Sequence, residues 1–432
     1  LKLVILKKEA RQNFMKSIEM KLSACILVLC ASSCLSLAAD AKRIPASQGF
    51  SQATSVSSLF ADGLKACSVT ITYTKPLQAE SVSVDDYRIE GRIINSVNVK
   101  GKEVTLTLDC SNKWHSDPNW RPGADGLPFE KSLTVTQVGD VTTSNGKTIF
   151  SGSYSISTPE YEIPEDCRKF SETTFNDLDT SIKLKYSIYM PTNYADGWNY
   201  PLVVFIPDSS CNTNTPKTQL LAGYGGTIWA TEQEQSKHKA VVVAIHYTKD
   251  QEKAYGSLVT ENGEMTKGLT SIYNLICYLR ANSRVDNMKV YGIGQGEGAS
   301  ACMILSENHP DTFAAQYLVA PQIMPKDIST LKDQNMWVTV CTGDKKAFSR
   351  MNAAIDQWDA DGSVITTAEW NPNKTESAQQ IATYMAAERA PINYLVIKGG
   401  HHQYTWTLTY QTEAIRDWIF RQSVGNSQNA GQ

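Results

Sequence analysis

The chain has 432 residues, 41 basic and 44 acidic side chains for a net charge of −3, and 41% hydrophobic residues. That length suits two domains and gives room for a large core. No basic run stands out, which argues against nucleic acid as a partner.

Residues 1–39 read as an upstream segment followed by a leader at about 20–39. Met20-Lys21 opens an apolar run ending in the small residues Ala38-Ala39, the pattern of a secretory signal peptide. The run is too short for a good membrane span, so the expectation is a secreted or periplasmic protein with no stable span once the leader is removed. Lipid attachment at Cys34 is disfavoured, because Ala31 stands where such signals usually carry leucine. Seven cysteines follow the leader without C-x-x-C spacing, so they suggest neither a metal site nor a dense disulfide framework. Cys67 with Cys110 is the best candidate pair in an oxidising compartment, and free thiols are the competing reading.

Residues 40–62, rich in Ser, Ala and Gln, read as a linker. From 63 to 160 short alternating runs such as C-S-V-T-I-T-Y-T and V-T-L-T-L-D, broken by turns at Lys100-Gly101 and Asn145-Gly146, predict an antiparallel β-sandwich. A long loop, Trp114 to Phe129, interrupts it. From 161 to 425 the period changes. Pro201–Ile206, Ala240–Ile245, Trp337–Cys341 and Tyr394–Ile397 are continuous apolar runs, as expected of strands covered on both faces. Leu269–Leu279 and Glu413–Phe420 are helical patterns. Strands alternating with helices predict a doubly wound, mostly parallel α/β sheet. Residues 426–432 form a tail.

The most informative stretch is M-K-V-Y-G-I-G-Q-G-E-G-A-S-A from Met288. A strand runs into Gly294, Gly296 and Gly298, and a helical pattern follows. That is the layout of a nucleophile elbow, G-x-S-x-G, in which a tight strand-to-helix turn lifts a serine above the sheet. Here Gly296 stands at the serine position. A dinucleotide loop fits poorly, because Glu297 occupies the required third glycine and no acidic residue ends a second strand about 20 residues on.

Nucleophile, acid and base follow one another along the chain in such folds. Asp344 comes directly after the strand Trp337–Cys341, and His402 lies in G-G-H-H-Q-Y-T-W before the last helix. A carboxylate there would fix the tautomer of an imidazole poised to take a proton. No metal-ligand spacing occurs and no cofactor is implied.

Taken in order, V-T-I-T-Y-T-K-P-L, Y-S-I-Y-M-P-T-N-Y, Y-P-L-V-V-F-I-P-D, W-A-T-E-Q-E-Q-S-K-H, T-G-D-K-K-A-F, H-Q-Y-T-W and E-A-I-R-D-W-I-F resemble the bacterial two-domain esterases of the EstA type. These are related to polyhydroxybutyrate-depolymerase-like and "predicted peptidase" α/β-hydrolases. The resemblance covers nearly the whole chain after the leader and implies an immunoglobulin-like domain followed by an α/β-hydrolase domain. It also implies Asp344 as the acid and His402, rather than His401, as the base. The departure is G-Q-G-E-G where the family carries G-Q-S-M-G. Without an Oγ there is nothing for His402 to activate.

The oxyanion donors are expected from the N–H of Glu297 and from the loop at Asp208-Ser209, with Trp229 and Trp406 as candidates for the substrate pocket. The expected function is therefore an impaired or pseudo-esterase that binds an ester- or saccharide-derived small molecule. Two further readings stand beside it. One is an active hydrolase using another nucleophile (Ser209, Ser210, Ser300 or Glu297) or a water activated by His402. The other is a binding or adhesion module acting through the β-sandwich.

Overall fold

The computed structural model describes residues 43–111, 127–152, 154–194 and 197–424. The leader, Cys34, most of the Trp114–Phe129 loop and the tail lie outside the described residues. Two compact units divide the chain. One takes in residues up to 55, 68–109 and 132–159; the other takes in 56–67, 110–131 and everything from 160 onward.

The first unit is built mainly from antiparallel strands, with Arg43–Pro45 pairing in parallel with Thr148–Phe150. Phe50–Phe60, Gly63–Tyr73, Glu103–Leu108 and Ile94–Lys100 form one sheet in that order, and Tyr154–Ser157, Thr134–Gln137 and Tyr87–Ile89 form another. Alternate residues of these strands (Val69, Ile71, Val104, Leu106 and Val135) are fully buried, the period-two pattern of a sheet with one wet face. The buried hydroxyls of Tyr73 and Tyr87 meet at 2.8 Å, and Tyr73 also donates to Gln137 Oε1 at 2.9 Å. No polar group of that trio is left dry and unpaired, which is what burial demands. Arg43–Pro45 and Phe50–Phe60 are strands, although the stretch 40–62 reads as a linker. The reason is position. Phe50–Phe60 is an edge strand with Ser51, Gln52, Thr54, Val56 and Ser58 exposed, so its polar composition imitates a linker. Cys67 and Cys110 are not joined in a disulfide: the Cys67 thiol donates to Lys65 O and the Cys110 thiol to Ala66 O.

The second unit holds a nine-stranded sheet. Its strands are β1 Ser171–Asn176, β2 Lys183–Tyr189, β3 Tyr200–Ile206, β4 Val241–His246, β5 Val285–Gln295, β6 Ala315–Val319, β7 Met336–Cys341, β8 Ile365–Trp370 and β9 Ile392–Ile397. The order is β1-β2-β4-β3-β5-β6-β7-β9-β8, antiparallel from β1 to β4 and parallel beyond. The continuous apolar runs are the central strands, buried on both faces as their composition requires. Alternate residues of β3 feed two separate cores: Leu202, Val204 and Ile206 point to one face, Val203 and Phe205 to the other.

Six helices matter below: α1 Glu232–Lys237, α2 Lys267–Asn282, α3 Glu297–Asn308, α4 Lys345–Ala360, α5 His402–Thr409 and α6 Glu413–Phe420. In α2, Leu269, Ile272, Leu275, Ile276 and Leu279 recur at the spacing that puts them on one face against the first core. The Thr266 hydroxyl accepts the Leu269 N–H and so fixes the start of that helix. In α6, Ile415, Trp418 and Ile419 close the opposite core.

A buried ion pair ties α1 to α6. Arg416 Nε donates to Glu234 Oε2 at 2.7 Å and Arg416 Nη1 to Tyr410 O at 2.6 Å, with both side chains almost wholly out of water. Such pairs are costly to break from one side, because the remaining charge stays buried. Arg416→Met is therefore expected to lower stability in urea unfolding by about 3–5 kcal/mol. Adding Glu234→Leu should return most of that loss.

Candidate active site

The site is assembled at the C-terminal ends of β3, β5 and β7 and at the start of α5. At the end of β5 the backbone turns sharply into α3 through Gly296, at φ 55° and ψ −119°. The flanking glycines are demanded by space. A Cβ on Gly294 would lie 2.4 Å from Gly298 O, and one on Gly298 would lie 1.9 Å from Ile206 O. These contacts let α3 sit directly on the β3–β5 pair, and they are why a glycine brackets the turn on each side.

Gly296 differs from its neighbours. A Cβ there would meet side chains rather than backbone: Asp208 Oδ2 at 2.1 Å and His402 Nε2 at 3.1 Å. The imidazole therefore faces the place where an elbow side chain would project, and that place is filled by a carboxylate from the loop after β3.

Asp344 follows β7 and caps α4, its Oδ1 accepting the Ala347 N–H at 3.1 Å. Its Oδ2 is hydrogen-bonded to His402 Nδ1. Gln322, in the loop after β6, donates from Nε2 to both Asp344 oxygens at 3.1 and 3.3 Å. Trp406, one turn along α5, stands edge-on to the His402 ring at a centroid distance of 5.0 Å. His401 is directed elsewhere, its ring tilted against Tyr404. Of the two adjacent histidines, His402 is the one brought to Asp344.

Asp208 closes the other side. Its Oδ2 lies 3.8 Å from His402 Nε2, an ion contact rather than a hydrogen bond, and accepts the Glu297 N–H at 3.4 Å. Its Oδ1 accepts the Ser210 N–H at 3.0 Å. The Glu297 N–H, expected from the sequence to serve a substrate oxyanion, is thus directed at a protein carboxylate, and Asp208 takes part through its side chain. Ser209 is exposed at the start of the short turn Ser209–Cys211. The Glu297 carboxyl accepts from Asn212 Nδ2 and from the Val259 N–H, both at 3.4 Å.

Charge follows from this arrangement. Burial opposes a positive His402, but attraction to the nearby Asp208 carboxylate and the hydrogen bond and attraction to Asp344 more than offset it and push the imidazole up to about 9. The same cation holds both aspartates below the usual carboxylate range against the effect of their own burial. Glu297 behaves oppositely. Burial, then the nearby Asp208 charge, raises its carboxyl to about 7.

Two expectations need correction. Trp229 does not line the site: it is fully buried in the second core, its Nε1–H bound to Gly225 O at 2.9 Å. Its indole had to find an acceptor inside, and the main chain supplies it. Ser300, a candidate substitute nucleophile, is buried, with its hydroxyl accepting the Ile323 N–H at 3.1 Å. Sequence reasoning missed Gln322, for which no motif gives a signal, and the side-chain position of Asp208. Among the described residues no group of three or more His, Cys, Asp and Glu side chains could hold a metal. No described helix is long and apolar enough to cross a membrane.

Residues 52–150 match the family model of the esterase Ig-like N-terminal domain. Among solved structures, a thermostable esterase superposes with a TM-score of 0.58 at 18% identity, covering 86% of this chain and 99% of that one. A feruloyl esterase module from Clostridium thermocellum complexed with sinapinate (TM-score 0.40, 12% identity, 60% of this chain and 93% of that one) and the BES protein from Bacillus cereus (0.36, 12%, 60% and 95%) are also similar. No curated protein matches the sequence. The chain is an Ig-like β domain followed by a mixed α/β domain whose fold matches that of the thermostable esterase. Its scaffold is esterase-like.

Two titrations test the charge arrangement. In NMR, the His402 ring should titrate near pH 9, and Asp208→Asn should bring that midpoint down by about one unit or more. For Glu297 the folded-state pKa lies above its unfolded value, so its stability contribution is intact below about pH 4.5 and is lost as pH rises through about 7. Glu297→Gln should match the parent protein at low pH and be more stable by about 1–3 kcal/mol at pH 8 in denaturant unfolding.

Proposed function

We propose that this is an exported protein on a serine-esterase scaffold that has lost serine acyl transfer and keeps its pocket for a small ester- or saccharide-derived ligand. The observation that carries this reading is Gly296 at the elbow, with Asp344 and His402 still converging on it. An acyl-enzyme needs an oxygen nucleophile at that point, and removing a triad serine can cost about 10⁶ in turnover. The charge state adds to the loss. A histidine that holds its proton up to about pH 9 is a poor general base at neutral pH.

The reading predicts negligible hydrolysis of 4-nitrophenyl acetate and no labelling by a fluorophosphonate probe. Ester turnover at rates ordinary for serine esterases, lost on His402→Ala, would overturn it. Export through the leader at residues 20–39 should show as a mature N-terminus close to Asp40 in protein recovered from the producing cells.

Reversion is a sharper test. Gly296→Ser alone should gain nothing, because its Cβ would fall 2.1 Å from Asp208 Oδ2. Gly296→Ser combined with Asp208→Gly and Glu297→Met should clear the site and lower the histidine pKa. That variant is expected to gain at least about 10²-fold in ester hydrolysis over the parent.

A further inference from the structure

Acyl transfer gives Asp208 no task, yet its carboxylate is the group best placed for one. Its Oδ2 occupies the position of the missing elbow side chain, within reach of His402 Nε2 on one side and the Glu297 N–H on the other. Its second oxygen is held by the Ser210 N–H, and about an eighth of the side chain's surface (12%) stays open to solvent. Gly296 is what makes this position available, since any Cβ there would collide with it.

We propose that Asp208 is a nucleophile, and that the substrate it suits is a strained cyclic ether, an epoxide, hydrolysed to a vicinal diol through an alkyl ester on Asp208. The proposal rests on the reading that serine chemistry is absent from this site.

The choice of substrate class follows from the chemistry of a carboxylate. Attack on an ester carbonyl would produce an anhydride, more reactive than the ester consumed, and would expel a strongly basic alkoxide. The Glu297 N–H that should steady the substrate oxyanion is also engaged by Asp208 itself. Attack on the saturated carbon of an epoxide has neither handicap. The ring strain is released, and the bond that breaks leaves an oxygen needing only one proton.

His402 can supply that proton. Asp208 Oδ2 forms a bond to a ring carbon, the carbon–oxygen bond of the ring breaks, and the freed oxygen takes the Nε2 proton. The products are a hydroxyalkyl ester of Asp208 and a neutral imidazole.

Esterification also removes the negative charge of Asp208, one of the two anions that favour the imidazolium. Asp344 remains, so His402 drops toward its ordinary range and becomes a base when one is required. It takes a proton from water, and the hydroxide adds to Asp208 Cγ. The Ser210 N–H already points at Oδ1, where the oxyanion of the tetrahedral intermediate develops, and the Glu297 N–H points at Oδ2, the oxygen that leaves with the diol. Collapse expels the diol oxygen, which takes the proton back from His402. The acid form of Asp208 then returns its own proton to the imidazole. Epoxide and water are consumed, one diol is formed, and no further reactant is required.

The experiment is a single turnover of the full chain, in excess over styrene oxide, in heavy-oxygen water. The expected result is phenyl glycol whose new hydroxyl carries light oxygen, with one heavy oxygen in the peptide containing Asp208. Asp208→Asn should slow diol formation by at least about 10³-fold. His402→Gln should slow both formation of the adduct on Asp208 and its hydrolysis, because the same ring is the acid of the first step and the base of the second. Heavy oxygen in the first-turnover diol with none in Asp208 would mean direct attack by water and would overturn the proposal. So would diol formation no faster than in buffer with both styrene oxide and cyclohexene oxide. Loss of serine chemistry is judged separately, by fluorophosphonate labelling and ester turnover of the same preparation, so the two readings can fail independently.

Discussion

One imidazole ring between two aspartates holds this site together. His402 takes Asp344 on Nδ1 and faces Asp208 across Nε2, and each of the three comes from a different strand end. Two carboxylates on opposite sides of one ring, in a site largely shielded from water, each lack a counter-charge of their own among the described residues apart from that ring. The shared cation supplies an attraction to both. The sheet makes the meeting possible: β3, β5 and β7 run parallel and deliver their following loops to one edge, where ligand sites of open α/β sheets lie.

The neighbours of this trio act by orienting it. Gln322 bridges both oxygens of Asp344 and fixes the plane of the carboxylate against the ring, while Trp406 limits how the imidazole can turn. Glu297 is the odd member. At the first turn of α3 its charge is favoured by the helix N-terminus, yet it is half-buried beside another acid, and burial wins. Its side chain reaches to Asn212 and Val259 rather than to His402, as elbow geometry dictates for the residue after the turn.

Much of this was legible in the sequence because it depends on local pattern. The apolar runs fixed β3, β4, β7 and β9 to within a residue or two, since only strands covered on both faces tolerate such composition. The elbow was readable because Gly294 and Gly298 are forced by backbone contacts. Asp344 and His402 were readable because their positions after β7 and before α6 follow from chain order. What escaped depends on contacts between distant segments. β8, I-T-T-A-E-W, is a half-exposed edge strand, and β6 has Gln316 in its apolar run. Phe50–Phe60 was hidden by its serines. An aromatic residue in an α/β domain has core and pocket as equal options until its neighbours are known, which is why Trp229 was misplaced. For Asp208 the sequence pointed to the backbone of its loop and gave no sign of where the carboxylate lies, which depends on contacts with α3 and His402.

That last difference makes the replacement at Gly296 more than a deletion. Removing a serine side chain from an elbow leaves a small polar void lined by an imidazole and a backbone N–H, and unpaired polar groups in such a void are costly. Asp208 fills that place with a carboxylate that accepts the Glu297 N–H and sets a counter-charge 3.8 Å from the imidazole. The occupant then changes the histidine it contacts, holding on it a proton that a serine mechanism would need removed. The loss of the hydroxyl and the gain of the carboxylate are therefore coupled physically. With a Cβ at position 296 the Asp208 carboxylate cannot lie where it does, and with that carboxylate in place an added serine has no room. In this chain the negative charge at the turn belongs to the loop after β3 rather than to a transient oxyanion.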